Sequence, residues 1–576
     1  MKKKNIGLRG SLTNYGDDEF SYFLRKSFSK SMGYGAEELD RPIVGIVNTS
    51  SGMVSCHGTV PHMVDAVKRG VIAAGGLPVD FPTISLGEPF LNPTSMLFRN
   101  LMAIDTEEMI RAHPIDSVVL IGGCDKTVPA QLMAAATVNI PTVQVVTGPM
   151  MTGSYRGQRL GACTDCRRLW GEYRAGRIEK TEIDQISNHL MPTAGTCMVM
   201  GTASTMACIA EALGMMVSGG ATIPAVNADR LRNASDSGLC AVKMIANDGP
   251  LPSDIMTPAS FTNALRVLLA IGGSTNAVIH LAAIAGRLGL EFDYAAFDKL
   301  GKDTPVLVDL KPSGTHYMED LDKAGGMAAV LRELAPFLNH ECMTVSGKTL
   351  GEELDKAPVS WSQDVVRSVG NPLYKEGGIA VLTGNLAPDG AIIKHSAATS
   401  DLLSHEGRAI VFESLEDLEK RIDDPALDVT SEDILVLRNV GPKGAPGMPE
   451  AGYIPIPKKL AKQGVKDMVR ISDARMSGTA FGTIVLHLCP ESAIGGPLAL
   501  VQNGDKILLN VPLRRLDLLI SKEEFEARQL RWKPPKPAPN SDRGWLALHL
   551  KYVQQANQGC DLDILSSTTK NGCIPV

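Results

Sequence analysis

One stretch, residues 118–127, constrains the fold of this chain more than any other. The apolar run from Val118 to Ile121 predicts a buried strand, and Gly122 and Gly123 allow the backbone to turn directly after it. A helix-compatible run begins near Thr127. A buried strand, a short turn and a helix in this order are typical of an α/β fold, whose ligands bind at the carboxyl ends of the strands.

Three chemically distinct side chains occupy that turn. Cys124 is a soft metal ligand, Asp125 is a hard one, and Lys126 supplies an amine. The tripeptide is equally compatible with a structural corner that holds a buried cysteine and a helix-capping aspartate. Taken alone, the turn leaves both interpretations open.

The alternation of strands and helices extends on both sides of this stretch and predicts a doubly wound parallel sheet made of βαβ units. The predicted strands are 43–47, 82–86, 116–121 and 142–146, and the predicted helices between them are 60–74, 94–112 and 127–138. Parallel strands bring their carboxyl ends to one edge of the sheet. We therefore expect the loops after the first three strands to lie close together, and these loops carry Cys56 and His57, then Glu88, then Cys124, Asp125 and Lys126.

The pattern changes near residues 371–378, where glycine and proline predict a domain boundary. A chain of 576 residues is too long for one hydrophobic core, so we expect an N-terminal α/β domain over 1–372 and a β-rich C-terminal domain over 373–576. The later strands are short and separated by frequent glycine and proline turns. They are predicted at 379–382, 391–394, 409–412, 434–437, 469–471 and 507–511.

Two loops of the second domain carry candidate functional side chains. Residues 441–452 are too rich in glycine and proline for regular structure and contain one carboxylate, Glu450. Residues 472–482 contain Ser477 directly before a glycine. Taken singly, Glu450 fits a solvated surface acid and Ser477 fits a turn residue. A proline-rich spacer at 531–539 leads to a helix near 545–556 and a C-terminal tail.

Charge and cysteine usage exclude several classes of protein. The net charge is 57 − 63 = −6, which argues against a nucleic-acid partner. The basic start of the chain lacks the apolar segment of a secretory signal, and the small-residue stretch 193–226 predicts a buried helix rather than a membrane span. Eleven irregularly spaced cysteines suit a reducing compartment. We therefore expect a cytoplasmic protein without a membrane or nucleic-acid partner.

Two further motifs have simpler interpretations. Cys163 and Cys166 form a CxxC pair, but zinc needs a second ligand pair at suitable spacing, so we interpret this pair as structural. The segment GGSTN at 272–276 lacks the lysine of a phosphate-binding loop, and a Ser/Thr helix cap is the expected role. The cysteines outside these motifs are expected to be structural: Cys208, Cys240, Cys342, Cys489, Cys560 and Cys573.

Several blocks together resemble the dihydroxy-acid and 6-phosphogluconate dehydratase family. The resemblance runs from about residue 42 to the C-terminus. Glu88 and the sequence SDARMSG lean toward the sugar-acid (arabinonate and xylonate) branch, because the amino-acid-biosynthetic branch tends to have Asp and TDGRFSG at these places. The matching blocks, in chain order, are the Cys56 loop, GGCDKTVPAQLMAA, TAGTC ending in Cys197, PSDIMT, GGSTNAVIHLAAIA, GNLAPDGAIIK, GAPGMPE, SDARMSGTAFG and PESAIGGPLAL.

The resemblance implies a role for each candidate residue. Iron–sulfur ligation is implied for Cys56, Cys124 and Cys197, with a [2Fe–2S] cluster in the sugar-acid branch and [4Fe–4S] in some relatives. Binding of Mg²⁺ is implied for Glu88, Asp125 and Glu450, with Lys126 as a CO₂-derived carbamate that adds a further oxygen. Ser477 is implied as the base, and His57 as either a partner of Cys56 or a substrate contact. The C-terminal domain is expected to be barrel-like, similar to the swivel domain of aconitase, and the chain to form a homodimer or homotetramer.

The resemblance also implies a reaction. A hydro-lyase would remove water from a 2,3-dihydroxy acid such as arabinonate, xylonate or gluconate, and the enol would ketonise to a 2-keto-3-deoxy acid. Glu450 and Ser477 can join this chemistry only if the second domain folds over the first, so we expect the site to lie between domains. The alternatives are a dihydroxy-acid dehydratase of branched-chain amino-acid biosynthesis and a non-enzymatic zinc or thiol sensor built around Cys163 and Cys166.

Overall fold

The structure is a computed structural model that describes residues 6–13, 15–358, 361 and 363–576. The basic start of the chain, residues 1–5, lies outside the described residues. The helices are α1 Asp18–Ser31, α2 Val60–Ala73, α3 Met96–Ala112, α4 Thr127–Val138, α5 Thr164–Arg174, α6 Lys180–Ser187, α7 Thr202–Ala212, α8 Ala228–Ala246, α9 Pro252–Ile255, α10 Pro258–Ala270, α11 Asn276–Arg287, α12 Tyr294–Lys302, α13 Met318–Lys323, α14 Gly326–Leu334, α15 Leu350–Lys356, α16 Leu415–Arg421, α17 Lys458–Lys462, α18 Lys522–Arg531 and α19 Gly544–Tyr552. The strands are β1 Ile43–Asn48, β2 Leu77–Pro82, β3 Ser117–Gly122, β4 Thr142–Val146, β5 Gly153–Tyr155, β6 Gln158–Leu160, β7 Leu290–Phe292, β8 Ala380–Leu382, β9 Ala391–Ile393, β10 Ser404–Phe412, β11 Ile434–Leu437, β12 Arg470–Ser472, β13 Ile484–Leu486, β14 Lys506–Asn510, β15 Arg515–Leu518 and β16 Gly572–Ile574.

The first half of the chain contains the predicted parallel sheet, so the α/β prediction is confirmed. Its order is β2–β1–β3–β4, and all of its neighbouring strands are parallel. Helix α2 packs on α8, and helix α3 packs on α4, so two pairs of helices accompany this sheet. Residues 118–121 are fully buried at the centre of this core. The strand order reverses between β1 and β3, which is the position where open α/β sheets bind ligands.

The predicted strand at 82–86 is misplaced. The observed strand β2 ends at Pro82 and pairs with β1 along its whole length, from Ile43 opposite Leu77 to Asn48 opposite Pro82. Asp80 lies within this strand and interrupts its apolar pattern. Its carboxylate is accommodated at the sheet edge by Lys68, whose Nζ lies 2.6 Å from Oδ1, so the strand tolerates the charge.

The second half of the chain is built on an eight-stranded mixed sheet in the order β15–β14–β10–β11–β12–β13–β9–β8. The two edges meet, because Thr383, just after β8, donates its amide to the Arg514 carbonyl (2.9 Å) and accepts from the Leu516 amide (3.0 Å). This contact nearly closes the sheet into a barrel around an apolar core that includes Leu382, Val436 and others. The barrel-like prediction is therefore confirmed, whereas the boundary at residue 372 stays a prediction.

The C-terminal tail returns to the first half of the molecule. Strand β16 pairs in parallel with β7, and the Trp545 indole donates to the Leu97 carbonyl at 2.9 Å. The small-residue stretch predicted to be a buried helix contains α7, whose eleven residues are all buried. Across the described part of the chain, no helix has both the length and the hydropathy needed to cross a bilayer.

Candidate functional site

The site begins at the carboxyl ends of β1 and β3, on either side of the strand-order reversal. The loop after β1 forms a short 3₁₀ turn at Ser55–His57, and the loop after β3 carries residues 123–126. Cys124 lies beside Cys56, and this neighbour together with burial raises the pKa of the Cys124 thiol. The third predicted cysteine, Cys197, is brought close because the Gly195 amide donates to the Ser55 carbonyl at 3.1 Å. The structure thus gathers the three predicted sulfur ligands from three separate loops.

His57 supports the cysteine loop from inside the protein. Its Nε2 accepts from the backbone amides of Gly123 (3.2 Å) and Cys124 (3.3 Å), so Nδ1 carries the proton and donates to the Ser85 hydroxyl at 2.8 Å. Ser85 in turn donates to the Thr49 carbonyl. Burial lowers the pKa of His57 to about 4, so the ring is neutral. His57 is therefore a positioning residue for the Cys124 turn in this structure.

Three carboxylates converge on Lys126, the residue directly before α4. The Lys126 ammonium contacts Asp125 Oδ2 and lies 3.3 Å from Glu88 Oε2 and 3.5 Å from Glu450 Oε1. Lys126 is completely buried, whereas the carboxylates are partly exposed. Since Glu450 comes from the second half of the chain, the structure brings together four residues that the sequence predicted to be neighbours.

Glu88 and Lys126 shift each other's pKa values in opposite directions. Burial by itself raises the pKa of Glu88, but the cations Lys126 and Arg475 and the hydroxyls of Thr94 and Ser95 outweigh it and hold this pKa far below its usual range. Burial and Arg475 lower the pKa of Lys126, but the surrounding carboxylates raise it above its ordinary value. In this arrangement the three carboxylates favour the charged form of Lys126.

The donor set has the chemistry of a metal site, although the ammonium sits at its centre. No group of His, Cys, Asp or Glu side chains in the described ranges has the geometry to hold a metal ion directly. The reason at this position is that the carboxylate oxygens of Glu88 and Glu450 face the Lys126 nitrogen. Carboxylate oxygens are the donors that Mg²⁺ prefers, and thiolates are the donors of iron–sulfur clusters. The residues present fit both groups by chemistry.

The second half of the chain reaches the site through two neighbouring parallel strands. The glycine- and proline-rich loop with Glu450 follows β11, and the loop with Ser477 follows β12. Gly447 lies in the left-handed region (φ +79°), and a Cβ on it would approach the Leu97 amide nitrogen to 2.5 Å. This glycine lets the loop lie directly on α3. Through this contact the loop with Glu450 lies against the first half of the chain.

Two residues that the sequence analysis missed hold Glu450 in place. The Asn276 amide and the Arg475 guanidinium both donate to Glu450 Oε1, each at 3.1 Å. Arg475 is fully buried and also donates to the Thr94 hydroxyl at 3.2 Å, which links it to the Glu88 loop. Both residues lie in segments that the sequence analysis had singled out, Asn276 at the end of GGSTN and Arg475 inside SDARMSG. Neither an asparagine nor an arginine, however, indicates from its residue type alone which side chain it will contact.

The Ser/Thr helix cap predicted within GGSTN is confirmed, and it is made by Ser274 rather than by Thr275. Thr275 precedes α11 without a side-chain capping hydrogen bond, and its hydroxyl is buried without a partner. Instead, Ser274 accepts from the Asn276 amide at 3.2 Å and hydrogen-bonds Thr202 at 2.7 Å. The segment therefore serves to direct Asn276 toward Glu450 between the two halves of the chain.

Ser477 lies in a turn that contacts both halves of the molecule. Its hydroxyl hydrogen-bonds the Thr479 hydroxyl at 2.8 Å. A Cβ on the adjacent Gly478 would approach Ser274 to 2.5 Å, so only glycine fits this approach. The Gly478 carbonyl lies 3.5 Å from the ammonium nitrogen of Lys394, a fully buried lysine whose pKa burial lowers to about 7. The sequence analysis did not single out Lys394.

The CxxC pair lies next to the predicted cluster ligands rather than apart from them. The Cys163 sulfur is 3.9 Å from that of Cys197, and the interaction with Cys166 lowers the pKa of the Cys163 thiol. Both belong to a small cluster with Met198 and Tyr317. Among the other cysteines, Cys208, Cys342, Cys489 and Cys560 are buried, Cys240 is partly buried and Cys573 is exposed.

Comparison with known proteins gives consistent matches over nearly the whole chain. The chain is 46% identical to the L-arabinonate dehydratase of Rhizobium leguminosarum bv. trifolii (strain WSM2304), over 97% of this chain and 96% of the relative. It is 42% identical to the 6-deoxy-6-sulfo-D-gluconate dehydratase of Pseudomonas putida, over 98% of each. It is 40% identical to the dihydroxy-acid dehydratase of Lachnospira eligens, over 93% of this chain and 96% of the relative.

The models of two family domains cover most of the sequence. The dihydroxy-acid/6-phosphogluconate dehydratase N-terminal domain matches residues 41–353, and the corresponding C-terminal domain matches residues 364–560. Dehydratases of this kind are hydro-lyases, so the chain is an enzyme rather than a thiol or zinc sensor. It belongs to the dihydroxy-acid/6-phosphogluconate dehydratase family.

Proposed function

We propose that this enzyme is an iron–sulfur- and Mg²⁺-dependent dehydratase that converts a sugar acid to its 2-keto-3-deoxy acid. The observation that carries the proposal is the convergence of Glu88, Asp125 and Glu450 on Lys126, directly beside Cys124. A carboxylate cage next to a set of thiols offers hard and soft donors within one site. The proximity of the two donor types supports a single bound substrate that meets both groups.

In this proposal Cys56, Cys124 and Cys197 hold a [2Fe–2S] cluster, with [4Fe–4S] as the alternative. Glu88, Asp125 and Glu450 hold Mg²⁺, and Lys126 adds an oxygen as a carbamate, which forms when its neutral amine bonds to CO₂ and a proton is released. When bound, the two groups supply Lewis acidity at the C3 hydroxyl and at the carboxylate end of the substrate. Three cysteines leave room for the substrate at the cluster.

The protein's own residues then handle the proton. Ser477 Oγ, as the alkoxide, takes the proton from C2 and becomes a neutral hydroxyl, and the Thr479 hydroxyl, 2.8 Å away, is placed to donate to the alkoxide before that transfer. Asn276 and Arg475 keep Glu450 oriented, because each donates to its Oε1 at 3.1 Å. The fully buried Arg475 and the close contact of Gly478 with Ser274 keep water out of this side of the site.

The relatives support a sugar acid over a branched-chain substrate. The sugar-acid dehydratases named above share 42–46% of their residues with this chain, and the dihydroxy-acid dehydratase shares 40%. Glu88 and the sequence SDARMSG point in the same direction. The second candidate function is therefore a dihydroxy-acid dehydratase with the same chemistry and an apolar substrate tail.

A substrate comparison tests the choice. Protein purified without oxygen is assayed for 2-keto acid formation from L-arabinonate, D-xylonate, D-gluconate, 6-sulfogluconate and 2,3-dihydroxyisovalerate. We expect kcat/KM to be highest for one of the sugar acids. A higher kcat/KM for 2,3-dihydroxyisovalerate would establish the second candidate, and no keto acid from any of them by the reconstituted enzyme would reject both.

A homodimer or homotetramer is part of the proposal. Helix α1 supports it, because Phe23, Phe28 and Met32 are each more than 60% exposed along this helix and its end, which is an unusual solvent-facing apolar surface. Light scattering during size-exclusion chromatography measures the mass directly. A monomer at micromolar concentration would contradict this part of the proposal.

A further inference from the structure

The CxxC pair, Cys163 and Cys166, lies next to Cys197, one of the predicted cluster ligands. The Cys197 sulfur lies 3.9 Å from that of Cys163, and Cys163 in turn interacts with Cys166 in the first turn of α5. Cys166 and Cys163 belong to the CxxC pair, whereas Cys197 belongs to the loop after the Gly195 turn. All three are partly exposed to solvent, unlike Cys124, which is buried.

The pair is held firmly in this position. Cys163 directly precedes α5, and Cys166 lies in its first turn. Between them the buried Asp165 accepts from the Gly161 amide (2.9 Å), the Lys311 ammonium (3.1 Å) and the Tyr317 hydroxyl (3.0 Å). These groups belong to neither the thiols nor the carboxylate cage. The contact between Cys163 and Cys197 is thus fixed by a polar network built around the start of the helix.

We propose that Cys163 and Cys166 form a dithiol that returns oxidised Cys197 to its thiol form. The inference rests on the proposed function only in assigning Cys197 as a cluster ligand. A cluster cannot be built on an oxidised ligand, so Cys197 needs protection whenever it carries no iron. Because Cys163 neighbours both Cys197 and Cys166, a disulfide formed between Cys163 and Cys197 can be exchanged for one between Cys163 and Cys166.

The chemistry has three balanced steps after a hydroperoxide reaches Cys197. The Cys197 sulfur takes the outer oxygen, the O–O bond breaks, and an alcohol or water leaves, which gives a sulfenic acid. Cys163 attacks that sulfur, the S–O bond breaks, and water leaves as the Cys163–Cys197 disulfide forms. Cys166 then attacks the Cys163 sulfur, and Cys197 leaves as a thiol with the proton from Cys166. An external dithiol reduces the remaining Cys163–Cys166 disulfide.

Disulfide mapping tests the proposal independently of turnover. Full-length protein, purified with its cluster, is exposed to hydrogen peroxide, quenched in acid and alkylated, and its cysteine peptides are identified by mass spectrometry. We expect the Cys163–Cys166 disulfide to accumulate while Cys197 remains alkylatable. In Cys166→Ser the reaction should stop at the Cys163–Cys197 disulfide, and in Cys163→Ser Cys197 should proceed to sulfinic acid. Cys208→Ser, which removes a buried thiol in α7, should match the wild type.

Several outcomes would overturn the proposal. These are Cys163 and Cys166 remaining free thiols while Cys197 becomes sulfinic acid, Cys197 pairing with Cys56, or none of the three sulfurs reacting in the wild-type protein. The wild-type result alone decides the matter if a variant fails to fold. Because thiol states are read directly, a protein that dehydrates no sugar acid can still pass this test, and an active dehydratase can fail it.

Discussion

At the residue scale, Ser477 is the side chain on which turnover depends most directly. Ser477→Ala removes the proposed proton acceptor without removing a metal ligand, so we expect kcat to fall by roughly 10²–10⁴-fold. The cluster absorbance should be unchanged. Ser472→Ala is the matched control, because its hydroxyl accepts from the Ala474 amide in the same segment. Loss of the cluster spectrum in Ser477→Ala would show a structural role instead.

Lys394 is a second residue near the site with an unusual environment. It is fully buried, no carboxylate among the described residues pairs with it, and burial lowers its pKa to about 7. Because the unfolded chain holds the proton up to the ordinary pKa of 10.5, this lysine costs stability below pH 7, and the cost disappears as pH rises from 7 toward 10.5. This cost is about 5 kcal/mol at most, and the lysine lies beside the Ser477 turn, 3.5 Å from the Gly478 carbonyl.

Replacement of Lys394 tests its cost to stability and its contribution to turnover separately. We expect Lys394→Met to raise the thermal unfolding temperature at pH 7, with a gain that shrinks toward pH 10, and to lower kcat. Lys420→Met, an exposed lysine at the end of α16, should change neither quantity. A Lys394→Met enzyme that is less stable at pH 7 than the wild type would contradict the assignment of an uncompensated buried amine.

At the element scale, the loop with Glu450 is anchored by a buried acid. Glu491 accepts from the backbone amides of Lys443 (2.9 Å) and Gly444 (2.9 Å) at the start of that loop, and from the Gln555 side chain at 2.7 Å. Burial, followed by the charge of Asp473, raises the pKa of Glu491 to about 7. The native state therefore binds more protons than the unfolded chain between about pH 4.5 and 7, and stability falls across that interval as pH rises.

Glu491→Gln keeps the hydrogen-bond acceptor and removes this titration. We expect the unfolding temperature of the variant, relative to wild type, to be higher at pH 8 than at pH 4.5, by a few degrees for a term of about 3 kcal/mol. Scanning calorimetry at both values measures the difference, with the exposed Glu419→Gln as control. A pH-independent difference between variant and wild type would refute the raised pKa.

The elements also show which parts of the molecule a sequence can specify. Runs such as 118–121 and 434–437 were predicted with correct bounds or nearly so, because consecutive apolar residues between turns have one stable environment. Strand β2 was misplaced because Asp80 interrupts the apolar pattern and is accommodated only through Lys68. Asn276 and Arg475 were missed because their partner, Glu450, is set by the packing of two halves of the chain.

At the scale of the whole molecule, a network of buried ion pairs and hydrogen bonds joins the C-terminal tail to the first half of the chain. Arg287 in α11 is bound by Asp561 (Nε to Oδ2, 2.6 Å) and by Glu107 (Nη1 to Oε2, 3.1 Å), and the Arg287 and Asp561 side chains are almost completely buried. Nearby, Arg99 donates to the carbonyls of Gly559 and Cys560. The tail thereby closes over helices that carry site residues, a contact that the sequence does not reveal.

Asp561→Ala leaves the Arg287 guanidinium buried with an incomplete set of partners. We expect a loss of stability of about 3–5 kcal/mol and faster hydrogen exchange in residues 553–576. Asp563→Ala removes an exposed acid two residues away and is the control. Unchanged exchange in the tail of Asp561→Ala would show that β16 pairing alone holds it.

The account as a whole depends on a cluster held by Cys56, Cys124 and Cys197. The most direct measurement is the iron and acid-labile sulfide content, with the visible spectrum, of protein purified without oxygen. The account predicts about two irons and two sulfides per chain with a reddish-brown chromophore, and about four of each would indicate the [4Fe–4S] alternative. Protein that binds zinc and takes up no iron, even after anaerobic reconstitution, would contradict the central claim.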